Sequence, residues 1–184
     1  MKVSSLIFAI LVLCKGTLAQ GFVNFDFELS TITSSSPSGY GFNWGMANVS
    51  GWTAYGDRAS SNYTGGTSVF YNDQWLDSAS VALVDANYWS PALHREYAIL
   101  LFGGTSAGAT TNGAAIGETG QIPLTAQSIT YWGSSWNHQQ NLQITFNGQL
   151  LSFIAISNTA TYTIYGADIS AYAGQTGELR FTAP

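Results

Sequence analysis

The chain has 184 residues, with five Lys and Arg against ten Asp and Glu and a formal charge of −5. Lys2 and Lys15 are its only lysines, so beyond residue 19 three arginines face ten carboxylates, a formal −7. This balance weighs against nucleic-acid and anionic-membrane partners, whose phosphates are held by Lys and Arg. It also excludes a Walker A loop and a Schiff-base lysine from the rest of the chain.

Residues 1–19 read as a secretory signal peptide. Lys2 gives the positive start, Leu6 to Leu13 an apolar core, and Thr17-Leu18-Ala19 a small-x-small cleavage site before Gln20. The apolar run is far short of the roughly 20 residues of a membrane span, so no membrane insertion of the mature chain is expected. A lipoprotein reading at Cys14 is weaker, because Leu13 stands where a small residue is wanted. Cys14 is the only cysteine, so the mature chain holds no disulfide. Its low charge and abundance of aromatics, Ser, Thr, Asn and Gly fit an exported β protein.

The first mature strand is expected at Phe22 to Leu29, where Phe25, Phe27 and Leu29 alternate with Asn24, Asp26 and Glu28. Ser30 to Gly45 reads as a loop. Short strands are expected at 49–55, 68–71 and 79–85, with polar loops at 56–67 and 72–77. Tyr97 to Phe102 is continuously apolar and reads as a buried central strand. Loop 103–113 precedes a strand at 114–123.

The clearest stretch runs from Ser128 to Phe181. Two alternating runs, 141–146 and 151–156, flank Asn147-Gly148, the strongest short-range hairpin signal, because a type I′ turn needs positive φ at both central positions. Further strands are expected at 128–132, 162–165 and 178–181, with a loop at 168–176. No amphipathic helix of ten or more residues, repeat or linker is visible. The fold expected is all-β, one antiparallel β-sandwich of the jelly-roll type over residues 20–184, with little or no helix apart from the signal peptide.

Three places carry a resemblance: Val23-Asn24-Phe25-Asp26-Phe27-Glu28, Ser50-Gly51-Trp52-Thr53, and Asp168 to Thr176 with Leu179-Arg180-Phe181. Together they resemble the galactose-binding-like jelly rolls of exported bacterial PEP-CTERM proteins and of secreted polysaccharide enzymes. The resemblance implies a secreted or cell-surface protein and one structural Ca²⁺ held by Glu28, with Asp26 assisting. Phe25 stands where the family has glycine. The family's final strand and sorting tail have no counterpart before Pro184, so the resemblance implies a domain lacking its last strand, with 178–181 the next-to-last strand and an unpaired sheet edge.

Two loops combine an aromatic platform with polar groups, as a sugar site needs: Trp136 with Asn137, His138 and Gln139, and Tyr71 with Asp73 and Trp75. The bland alternative for each is a loop pinned by one buried aromatic. Trp52 reads as core. The carboxylates Asp73, Asp77, Asp85, Glu96 and Glu118 show no spacing that selects a glycosidase pair, and no G-x-S-x-G is present. The function expected is therefore a non-catalytic module binding polysaccharide or cell-surface glycan. The alternative is a structural cell-surface or biofilm-matrix protein with no small ligand. A hydrolase is the third reading.

Overall fold

A computed structural model describes residues 21–37, 39, 43–56, 67–72, 79–85, 96–103, 113–134 and 142–184. These residues form thirteen strands in three sheets, and the expectation of an all-β sandwich holds. The first sheet has the order β1-β2-β4-β5-β6, with β1 Thr31–Pro37, β2 Asn43–Asn48, β4 Ser68–Tyr71, β5 Ser80–Asp85 and β6 Tyr97–Phe102. The second has the order β10-β9-β13-β7-β3, with β3 Thr53–Tyr55, β7 Ala114–Gln121, β9 Gln143–Phe146, β10 Gln149–Leu150 and β13 Thr176–Ala183. The third is β11-β12-β8, with β8 Ser128–Ser134, β11 Ile154–Asn158 and β12 Tyr162–Asp168. Pairing is antiparallel except between β4 and β5, which run parallel with Tyr71 opposite Leu83.

The first and second sheets bury one core between them. Val69, Val81 and Leu83 come from the first, and Ala54, Ile116, Ile144, Phe146 and Leu179 from the second. Trp52 is 1% exposed, as expected of a core residue, and its indole N–H donates to the Asn24 carbonyl at 3.1 Å. The third sheet meets this core through Ile129 and Tyr131, the latter edge-on to Phe181 with ring centroids 6.3 Å apart.

Four expectations fail for physical reasons. Residues 22–29 are not a strand. Asn24 (φ 58°) and Phe27 (φ 63°) adopt left-handed backbone, and the segment closes two turns, Phe27 N–H to Asn24 O at 3.0 Å and Ser30 N–H to Phe27 O at 3.1 Å. The Asn24 carboxamide locks them by accepting the Leu29 N–H at 2.7 Å. The Ser-rich stretch read as a loop instead forms the β1–β2 pair, with a register shift between Ile32 and Ser34. The run 151–156 does not continue as one strand. β10 closes the hairpin, Leu151 N–H still reaches Ile144 O at 2.8 Å, and the chain then leaves for β11 in another sheet. Tyr97–Phe102, read as central, is the edge strand of the described first sheet, and each of its residues is half-buried. The run expected as next-to-last is β13, which is paired on both sides, by β9 and by β7.

Strand direction defines two rims. At the first, β3, β6, β8 and β13 end while β4, β5, β7 and β9 begin. Tyr55 sits opposite Ala115, Ala183 opposite Ala114, Thr182 opposite Gln143 and Phe102 opposite Ser80. At the second rim lie the Asn147-Gly148 turn, the Asp168–Thr176 loop and the turn carrying Glu28.

Candidate functional site

The segments flanked at both ends by first-rim strand termini are 57–66, 104–112 and 135–141. Asn72, before 73–78, lies at the second rim and Ser80, after it, at the first, as the parallel β4–β5 pair requires. Trp136, Asn137, His138, Gln139, Asp73 and Trp75 fall in these segments and lie outside the described residues. Tyr71 is described. It is 8% exposed, part of the core, and its hydroxyl donates to the Asp85 carboxylate at 2.6 Å. Burial and that carboxylate push the phenol well above its ordinary pKa. Asn72, also buried, adopts φ 49° and accepts the Asp85 N–H at 3.0 Å, so the root of the 73–78 segment is fixed at two successive residues. Tyr71 thus acts as an anchor for the loop, with its ring turned into the core.

Glu28 lies at the second rim. One carboxylate oxygen accepts the backbone N–H groups of Glu96 at 3.0 Å and Tyr97 at 3.1 Å, tying the N-terminal turn to the start of β6. Asp26 accepts the Glu28 N–H at 3.4 Å, an Asx-type contact within the turn. Burial and the nearby Glu96, Asp85 and Glu28 raise the Tyr97 phenol. Among the described residues no three His, Cys, Asp or Glu side chains gather in a metal-holding group. A Ca²⁺, which takes six to eight oxygens, would use the second Glu28 oxygen and otherwise carbonyls or water. Asp168 accepts the Ser170 N–H at 2.8 Å in a turn, and hydrogen bonding from the Ser170 side chain and backbone holds its pKa below the ordinary value.

Sequence reasoning missed two features. On the outer face of the second sheet, Arg180 lies 4.0 Å from the centre of the Tyr55 ring, and the Tyr55 hydroxyl donates to Glu178 at 3.3 Å. These residues are 123 positions apart, and only the shared pairing of β3 and β13 with β7 brings them together. The second is Glu118, 4% exposed on β7. One oxygen accepts the Val23 N–H at 2.7 Å, and the other is buried with no hydrogen-bond partner among the described residues. Burial raises its pKa to about 7, although the Val23 bond opposes this. The alternation of β7 is the one sequence signal that places Glu118 on the same inward face as Ile116.

Comparison with protein-family models, with curated proteins and with solved structures finds no match for the chain. The galactose-binding-like resemblance accordingly rests on the three quoted motifs.

Proposed function

We propose that the protein is an exported, non-catalytic module that binds polysaccharide or cell-surface glycan through loops of the first rim. One observation supports this reading above the others. The described strand ends on either side of 135–141, which holds Trp136, Asn137, His138 and Gln139, lie at that rim, and so does the start of β5, which follows the stretch holding Trp75. Two stretches that join aromatic and polar residues and are distant in sequence are thus flanked, one on both sides and the other on one side, by described strand ends of the same rim. Apolar sugar faces and hydroxyl rims call for that combination. The resemblance, with its exported polysaccharide-associated relatives, points the same way.

Affinity electrophoresis in polysaccharide gels and a glycan array test it, each run with Ca²⁺ and with a chelator. Trp136→Ala is expected to weaken retention roughly tenfold or more, in line with loss of a stacking aromatic anchor, and Trp75→Ala to weaken it less. A calcium requirement at Glu28 predicts weaker retention in chelator. Absence of binding to every glycan, in both conditions, overturns the reading. The alternative, a structural surface or matrix protein, draws on a different observation, the apolar edge of β6.

A further inference from the structure

A carboxyl group buried without its full set of partners is costly to charge, so it keeps its proton until water reaches it. Glu118 is such a group. It lies on β7, which is paired on both sides by β3 and β13, and Leu179 stands directly opposite it. One oxygen accepts the Val23 N–H, and the other is buried with no partner among the described residues. Gly51 closes in from the side. A methyl group there would stand 2.5 Å from a Val23 side-chain carbon and 2.9 Å from the bonded Glu118 oxygen. Water reaches the carboxyl only when one of these covers moves, and they are held with different firmness. β7 and β13 share a continuous ladder from Ala114 to Gln121. The segment 21–29 is not a strand. Among the described residues it meets the second sheet through one bridge, Gly21 to Gln121, and the Val23 bond to Glu118. Asn24 adds two bonds to the neighbouring turn, from its carboxamide to the Ser50 carbonyl at 3.0 Å and from the Trp52 indole to its own carbonyl. Phe22 and Phe25 of the same segment wall an apolar cavity of about 210 Å³, together with Ile122, Ile129, Phe146 and Leu179.

We propose that residues 21–27 form a strap latched by Glu118, closed while the carboxyl is protonated and released when it ionises, so that the cavity behind Phe22 and Phe25 opens above neutral pH. A local opening of this kind takes the least firmly bonded element first. Glu28 stays tied to the Glu96 and Tyr97 amides at the start of β6, so the strap peels from Gly21 and stops short of Glu28. Its left-handed residues Asn24 and Phe27 are the places where the backbone can turn. No described charge on the surrounding elements contributes to the latch. Glu178, Arg180 and Tyr55 lie on the outer face of the second sheet, and Asp26 is bonded within the strap's own turn. Gly51 and its neighbours Ser50 and Trp52 carry no ionisable group. Burial is what raises Glu118, against the opposing Val23 bond. The closed strap sets the carboxyl at about 7, and water returns it toward the ordinary 4.5. A pKa raised in the closed form favours closure fully below 4.5, and that preference is lost as pH rises through 7. The open fraction therefore grows roughly a hundredfold between about pH 4.5 and pH 8.

Amide hydrogen exchange of the full chain, read by mass spectrometry and corrected for the intrinsic effect of pH, tests this. Peptides covering 21–27 should lose protection roughly a hundredfold from pH 4.5 to pH 8, while those covering 176–183 keep theirs. Glu118→Gln keeps an acceptor for Val23 without a charge, and should hold the strap closed at both pH values. Gly51→Ala sets a methyl group against Val23 and Glu118, and should open the strap at pH 4.5 as well. The wild-type profile and Gly51→Ala decide the matter if Glu118→Gln misfolds. Strap protection that does not change with pH in the wild type overturns the proposal. So does loss of protection at 176–183 in step with the strap, since the molecule then opens as a whole. An undiminished pH dependence in Glu118→Gln overturns it too, because another group then titrates, as does a Gly51→Ala strap as closed as the wild type at pH 4.5.

Discussion

Glu118 is an acid on the wrong side of a β-strand. It shares the inward face of β7 with Ile116, and among the described residues only the Val23 amide compensates one of its oxygens. Its pKa of about 7 in the folded chain stands above the ordinary 4.5, so the native state keeps a proton that the unfolded chain gives up across that interval. The stability this provides is complete below about pH 4.5 and is lost as pH rises through 7. Glu118→Gln keeps an acceptor for Val23 and removes the charge. Urea titrations should find it more stable than wild type by roughly 1–3 kcal/mol at pH 8 and nearly equal at pH 4.5, since one pKa unit corresponds to about 1.4 kcal/mol. Trp52 was legible as core from its residue type and its place in a short strand. Glu118 was not, because the sequence does not show that an N-terminal turn folds back to cover it.

At the level of the element, local signals succeeded where a turn had its own chemistry. Asn147 at φ 49° and Gly148 at φ 76° form the left-handed pair that the dipeptide announces, and the Asn147 side chain adds a bond from the Glu178 N–H at 3.1 Å. Gly148→Ala should therefore cost about 1 kcal/mol, read from the denaturation midpoint, through backbone strain alone, since no atom stands in the way of an added methyl. Alternation misled at 22–29, where two left-handed residues and the Asn24 carboxamide override a period-two pattern. It misled differently at 97–102. A continuous apolar run says that both faces and both edges seek cover, and it cannot say whether the cover comes from the same chain. The Ser-rich β1 went unread because an edge strand needs no apolar residues to join a sheet.

For the whole molecule, the sandwich class was legible from turn chemistry and strand spacing. The gathering of strand ends at one rim was not, because it depends on the direction of each strand and above all on the parallel β4–β5 pair. That pair puts Asn72 and Ser80 at opposite rims.

β13 is the thirteenth strand in chain order, yet it lies in the middle of its sheet, between β9 and β7. Its neighbours have no partner for each other until it arrives. The sheet therefore cannot be completed residue by residue as the chain is made, and its closure waits for contacts that are distant in sequence. Until residues 176–183 are available, β7 and β9 each present an edge that β13 later pairs. Pairing of residues 176–183 with both β7 and β9 is thus the step that closes the sheet.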